Sequence, residues 1–378
     1  MSRNQRLLCI LMVPLSVVTT DLHLAAFPSM LSFFEASFFE IQLSQSAYLA
    51  GFALFTLLIP FLLKKISPKG ILLGALISYI VGSFVAAFAS SISLFIAARL
   101  LQSLGGSSTS ILSRIEVRQS VQADQLSSVF SWMFFSVSIC FVTMPLLGAF
   151  LQHVLGWQAN FLFMALVGFL YFYLACRLLS FERMSEKEDF SFYELLRVGP
   201  YCFYTLFTTL SWCSLMSFIA ISPFLIRIYC NQSAFMFSGL YSCVLACFIL
   251  GNRCGRLKMH YSFASILIGI VLLFSTLFSP LLFLFVLGSA FLLFGTGCLL
   301  PHLQAAALLS LNQGVGYGLS FMYFAMMLCS CGCSVLVGQY GDRPFLAAQL
   351  LSVLGVSQCL LYATQNALRK TQNISHKS

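Results

Sequence analysis

Charge is what this sequence lacks. Lys, Arg, Asp and Glu make up only 8% of its 378 residues, and just 11 residues are acidic. Soluble globular chains carry about 25% charged residues, so an ordinary water-soluble enzyme is excluded. Membrane transferases that hold magnesium on paired carboxylates are excluded too, because only one acid falls inside an apolar run. There is no G-x-x-x-x-G-K-[ST] loop, hence no ATP hydrolysis by this chain. Cysteine-bearing polar loops are also missing. The 14 Cys lie inside apolar runs, where Cys behaves as a small hydrophobe, and a secreted disulfide framework is excluded. His23, His153, His260, His302 and His376 never sit at metal-pair spacing. Of Cys329, Cys331 and Cys333, only the first and last share a helix face, too few for a tetrahedral thiolate site. No metal and no cofactor are expected.

What is abundant is apolar surface. Hydrophobic residues reach 60%, with 40 Phe and a mean hydropathy of +0.94. A bilayer must be the solvent. A membrane helix needs roughly 20 consecutive apolar residues, and twelve such stretches can be read. They cover 7–30, 44–63, 71–90, 93–113, 126–150, 157–180, 199–229, 235–252, 262–280, 282–309, 315–338 and 345–366. The first has basic residues ahead of it, as a signal peptide would. It lacks an A-x-A cleavage site and continues past Asp21, so it reads as a retained helix.

All but Arg99, Arg227 and Arg343 of the 20 Lys and Arg fall on one side when the N-terminus is cytoplasmic. Cytoplasmic loops carry the excess of Lys and Arg. The basic balance is thus a topology signal rather than a nucleic-acid footprint, and both termini face the cytoplasm. The fold class is an all-α polytopic membrane protein. Phe181–Arg197 is the one long charged segment, and it divides the chain into a six-helix bundle (1–180), a central cytoplasmic loop (181–198), a second bundle (199–366) and a tail (367–378). Basic clusters recur after the second helix of each half, at Lys64–Lys69 and Arg253–Lys258. Such parallel six-helix repeats are a transporter layout.

Several segments carry a closer likeness. They are Thr20-Asp21-Leu22 with Pro28, then Arg99-Leu100-Leu101-Gln102-Ser103-Leu104-Gly105-Gly106, then Pro145-Leu146-Leu147-Gly148. Next come Gly156-Trp157-Gln158-Ala159-Asn160-Phe161 and Phe218-Ile219-Ala220-Ile221-Ser222-Pro223-Phe224. Last come Gly295-Thr296-Gly297 with Pro301-His302, and Gly314-Val315-Gly316. In this order the chain resembles the Bcr/CflA branch of drug–proton antiporters in the major facilitator superfamily. The resemblance implies a multi-pass bacterial inner-membrane exporter of small molecules, driven by protons and working as a monomer. One segment departs from the pattern. Where that family has G-P-L-S-D-R-x-G-R-R between helices two and three, this chain has Pro60–Lys69, with Lys64 in place of the acid that latches the cytoplasmic face. Lys64, Lys65 and Lys69 are the residues expected to bear on gating.

Asp21 is the only acid left inside a span. An aspartate near a helix centre costs about 2.5 to 3.5 kcal/mol on insertion scales, and an intramembrane ionisable residue is by default a functional-site hypothesis. Depth suggests its partner. Asp21 lies roughly 13 Å, and Arg99 roughly 9 Å, below the same surface at 1.5 Å per residue. The two are expected to face one central cavity and to meet directly or through water. Protonation of Asp21 would loosen its hold on Arg99 and bias the rocking of the halves. The plainer reading is an internal staple.

Gln102 and Gly106 share a helix face with Arg99 and suit a cavity wall, or packing alone. His302 follows Pro301, where a broken turn exposes carbonyls, and is a candidate ligand contact. Tyr204, Phe207 and Trp212 of helix seven and Tyr317, Phe321 and Phe324 of helix eleven are candidates to line an apolar pocket. His23 points away from Asp21 and reads as a core or interface histidine. The alternatives to an exporter are a metabolite importer or facilitator with Asp21–Arg99 as substrate anchor, and a transport-inactive relative with a decayed gate.

Overall fold

The computed structural model describes residues 2–179, 192–229, 234–254, 259–311, 313–341 and 343–375, and helix is the only regular secondary structure among them. In chain order the long helices are α1 (Arg3–Phe34), α2 (Phe38–Leu63), α3 (Pro68–Ala87), α4 (Ile92–Ser120), α5 (Ala123–Leu155) and α6 (Gln158–Leu178). They continue as α7 (Gly199–Tyr229), α8 (Ala234–Arg253), α9 (Met259–Ser275), α10 (Leu282–Leu309), α11 (Val315–Gln339) and α12 (Pro344–Ser375). The acids and bases expected at 182–189, Arg256, Lys258 and Asp342 lie outside the described residues. Of the central loop, Phe192–Arg197 forms a six-residue helix.

Ten of the long helices are apolar and long enough to cross a membrane. α4 is outside that set, and α9 contributes only the shorter apolar stretch His260–Ser275. The two differ from the apolar-run expectation for different reasons. α9 ends five residues early, in a turn in which Thr276, Leu277 and Phe278 donate to the carbonyls of Leu273, Phe274 and Ser275. α4 is rich in buried small and polar residues, from Ser103 through Gly105, Gly106, Ser107, Ser108, Thr109 and Ser110 to Arg114. From Ser103 to Arg114 it packs among other helices, so lipid sets no demand on that stretch, and small side chains let the neighbours approach.

Local chemistry sets the helix starts. Ser2 and Gln5 form a reciprocal capping box at α1, and Ser37 and Glu40 form another at α2, each satisfying two orphan backbone donors. Ser67 caps α3 ahead of Pro68, and Ser91 caps α4. Gly156, at φ 87°, turns the chain from α5 into α6, a backbone angle that side chains resist.

α1 is not the single rod that its apolar run predicts. It breaks at Pro14, which has no N–H to donate, and again after Asp21. A 3-10 turn (Leu24–Ala26) follows, and Phe27–Phe34 resumes as α-helix with Pro28 in its first turn. Asp21 therefore closes a helical segment instead of sitting mid-helix.

Packing partners recur at an offset of six helices. α3 packs on α4, α2 on α4 and α3 on α6; likewise α9 packs on α10, α8 on α10 and α9 on α12. The two sets join where α2 lies against α11 and, at the equivalent place, where α5 lies against α8. Large apolar side chains such as Phe88, Phe278 and Leu309 remain on the outer surface, as a lipid-facing wall requires.

Candidate functional site

Asp21 is completely buried. Its Oδ1 accepts a hydrogen bond from Thr20 Oγ1 at 2.6 Å, and its Oδ2 accepts one from the Tyr241 hydroxyl of α8 at 2.7 Å. Arg99 is also completely buried, but it is not the partner of Asp21. One terminal nitrogen of Arg99 donates to Gln102 Oε1 at 2.7 Å. The other donates to Gln45 Oε1 of α2 and to the Thr19 carbonyl, each at 3.1 Å. The guanidinium lies 4.9 Å from the Tyr48 ring centre, a cation–π distance. No ion pair joins Asp21 and Arg99; of the two expected modes, direct or through water, the direct one is not the arrangement found.

The reason is angular. Depth follows from the rise of the helix, but each residue also turns by about 100°, so positions 19 and 21 face different neighbours. Ending the helical segment at Asp21 leaves its last carbonyls without intrahelical donors. Arg99 takes up the one at Thr19, while Asp21 turns toward α8. Each charge is thus held by neutral dipoles. A guanidinium keeps its charge at any ordinary pH, whereas a carboxyl can lose its charge by taking a proton. Of the two, Asp21 is the residue with a protonation switch.

Around this pair lies a network that the sequence reading did not name. Gln102 Nε2 donates to Ser83 Oγ at 2.8 Å, and the Thr19 and Tyr79 hydroxyls lie 3.0 Å apart. Gln102 therefore positions Arg99 rather than facing open space. Gly106 likewise lines no opening, because the Tyr48 hydroxyl occupies the space that a Cβ there would need. Gln42 to Ser46, a polar run inside an apolar helix, was the visible signal for Gln45. Nothing in the sequence distinguishes Tyr241 from the other 13 tyrosines.

The remaining candidates do not gather at Asp21. Tyr204 is half-buried and accepts from Gln365 Nε2 of α12 at 3.3 Å. Phe207 joins a separate cluster with Phe263, Ile266, Leu299 and Leu303, and His302, next to Leu303 in sequence, is exposed on α10. Trp212 is half-buried on α7, its indole N–H shielded and without a hydrogen-bond partner. His23 packs between Phe27 and Phe161, 5.3 Å from each ring, and neither of its nitrogens has a hydrogen-bond partner.

Tyr317 and Phe321 lie at the far end of α2. They stand 5.4 and 6.1 Å from Phe192 of the six-residue helix, and Phe324 packs on Phe321 at 6.0 Å. Here Lys64 Nζ lies 5.9 Å from the Tyr317 ring, and Arg114 stands 5.1 Å from the Tyr323 ring. Two cations from α2 and α4 thus meet two tyrosines of α11. Lys65 is exposed. Lys69 acts locally: its Nζ donates to the Cys176 and Leu179 carbonyls at 3.0 and 2.7 Å, capping α6. Lys69→Ala is expected to lower stability by about 1 kcal/mol, read as a reduced unfolding midpoint in detergent, with transport unchanged.

At the other end of the α2–α11 contact, Gln42 Nε2 and Ser46 Oγ reach Ser334 Oγ at 2.6 and 2.9 Å. Along α5–α8, Ser238 and Ser242 donate to the Pro145 and Val142 carbonyls at 2.9 and 2.8 Å. Both seams are closed, and no solvent reaches Asp21 or Arg99.

A family model described as Major Facilitator Superfamily matches residues 9–368. An uncharacterized transporter of Rickettsia bellii is 26% identical over 198 residues, covering 51% of this chain and 48% of that protein. A multidrug resistance protein of Shewanella sp. (strain ANA-3) is 27% identical over 224 residues, covering 57% and 55%. A chloramphenicol resistance protein of Pseudomonas aeruginosa is 31% identical over 147 residues, covering 39% and 35%. The chain thus spans about half or less of the curated relatives it matches. Among solved structures, a D-xylose-proton symporter superposes with a TM-score of 0.77 at 12% identity, covering 95% of this chain and 97% of that one. At that identity the likeness speaks for the fold alone.

Proposed function

The chain belongs to the Major Facilitator Superfamily, a family of transporters and not of enzymes, and from that premise we propose that it exports a small organic molecule in exchange for protons. In this reading two six-helix bundles cross the bacterial inner membrane twelve times, both termini are cytoplasmic, and the protein works as a monomer. One observation carries the reading: a fully buried carboxylate that bonds to no cation among the described residues and is hydrogen-bonded instead to Tyr241 of α8.

A proton taken by Asp21 removes the charge that Tyr241 and Thr20 now hold. Arg99 cannot follow, so the charge balance of the core changes by one unit per proton. The membrane potential contributes about 2.3 kcal/mol per charge per 100 mV to that movement. Arg99 and its neutral partners keep α1, α2 and α4 together while the halves rock. The names of the relatives from Shewanella and Pseudomonas favour efflux of drug-like molecules as the cargo.

The lysine that replaces the usual acid fits the same reading, because closure at that end runs through cations on aromatic rings. A desolvated cation–π contact contributes about 1–2 kcal/mol. Arg114 and Tyr323 are both buried, so Tyr323→Leu is expected to raise the reagent accessibility of this end about tenfold, measured as the modification rate of Arg114 by a dicarbonyl reagent. An unchanged rate would place the closure elsewhere.

The proposal is tested in proteoliposomes with an imposed pH gradient, a pH-sensitive dye in the lumen and a panel including chloramphenicol and lipophilic cations. Export predicts substrate-dependent proton movement opposite to the drug. Substrate exchange indifferent to pH would identify a facilitator instead, and no flux of any probe would identify an inactive relative.

A further inference from the structure

We propose that Tyr241 is the positioning residue through which the charge on Asp21 holds the two halves together, so that proton binding at Asp21 is read directly by the second bundle. The inference rests on the transport reading above and adds the part that links proton to motion.

Tyr241 lies on α8, and Asp21 ends a helical segment of α1, 220 positions away in sequence. Both side chains are buried. The phenol O–H donates to Oδ2 at 2.7 Å, the length of a charge-assisted bond. The tyrosine ring is fixed independently: it stacks on Phe218 at 5.6 Å and packs against Phe237 at 5.5 Å. Its hydroxyl is therefore aimed before the carboxylate arrives. Other polar groups at the α5–α8 seam bind backbone carbonyls, as Ser238 and Ser242 do, and carry no charge to switch. The Asp21 contact alone among these depends on a group that can gain or lose a proton.

The titratable and charged groups near Asp21 come from each packed element. They are Tyr241 from α8, Cys140 from α5 and Tyr48 from α2, with Arg99 of α4 directed to Thr19 and His23 next along α1. None of the others bonds to the carboxylate. With Asp21 ionised, the tie is a charge-assisted bond. With Asp21 protonated it is a neutral one, about half as strong. The closed arrangement is therefore favoured at high pH and loosened at low pH, by about tenfold in the ratio of closed to open.

The test measures opening directly. Spin labels are attached through p-azidophenylalanine at exposed positions 65 and 309 in one sample and 155 and 278 in another, which leaves the native cysteines in place. Distances are recorded in nanodiscs between pH 5 and 9. The wild-type chain should open at one of the two ends as pH falls. Tyr241→Phe keeps the ring and its stacking but has no donor, so its distances should be indifferent to pH, as should those of Asp21→Asn. Thr20→Val removes the other bond, which lies within α1, so the midpoint of its response can move but its distances should still change between pH 5 and 9. A pH response in Tyr241→Phe equal to wild type would overturn the inference. So would a wild-type chain that does not respond, or a Thr20→Val response as flat as that of Tyr241→Phe. If the distances behave as expected but no probe drives proton flux in proteoliposomes, the transport reading fails while the tie stands.

Discussion

Asp21→Asn is expected to reduce proton-driven transport to the level of empty liposomes while leaving a folded protein. The amide has almost the shape of the carboxyl, and its oxygen can still accept from Tyr241. Thr20 Oγ1 sits within 3.2 Å of the Ser16 and Val17 carbonyls as well, so it has other acceptors when the amide nitrogen faces it. Burial without a compensating cation makes the ionised aspartate a liability for the fold, so Asn should not lower stability. What the variant loses is the proton. It should therefore show no drug-dependent acidification or alkalinisation of the lumen at any pH between 5 and 9, whereas the wild-type rate should vary across that range. Exchange of drug down its own gradient should persist. Normal proton-coupled flux in this variant would falsify the assignment of Asp21 as the coupling residue and move the search to the other titratable groups of the core.

The second large effect is structural. Gly148→Ala places a methyl group of α5 against the backbone of α1, at the break after Asp21. A Cβ built on Gly148 would stand 2.7 Å from the carbonyl carbon of Leu22 and closer still to its oxygen. Overpacking against side chains costs typically 1–3 kcal/mol, because they can move to another rotamer. A carbonyl between two helical segments cannot, so α5 must withdraw from α1 as a whole. The expected loss is about 4 kcal/mol or more. It would appear as failure to recover monodisperse protein, or as a sharply lower unfolding midpoint where some is recovered. Gly332→Ala is the matched control, since a Cβ there meets nothing within 4 Å, and it should be silent. Equal midpoints for both variants would show that α5 and α1 are less closely packed than described.

Much of the architecture was legible because a bilayer leaves few options. Backbone groups in hydrocarbon must be satisfied within the segment, so apolar runs of sufficient length become helices. Asp21 and Arg99 could be singled out because every other acid and nearly every base fell outside the apolar runs; Arg114 and Glu116, just past the run that ends at 113, were missed, because α4 continues to Ser120 and buries both. The altered segment at Lys64 was also visible, but its partner was not: Tyr317 is one aromatic residue among several on α11.

Where the reading went astray, the causes are particular. α1 read as one rod because Leu, Ala and Phe continue through the 3-10 turn, and their hydropathy does not register a break. Tyr317 and Phe321 read as pocket wall because aromatic residues facing a pocket, a seam or lipid have the same composition. For Gly106 cavity wall and packing alone could not be told apart in sequence, and its missing side chain makes room for Tyr48.

The sequence by itself determined the solvent, the helical class and that Asp21 and Arg99 carry charge into the core. Those follow from transfer free energies, which depend on composition and run length alone. Tertiary structure decided which side chains those charges meet. Lipid and protein interior are equally apolar, so hydropathy cannot say which way a helix turns, and the break at Asp21 set that angle. Arg99 was thereby given to the Thr19 carbonyl, and Asp21 to a tyrosine on the opposite half.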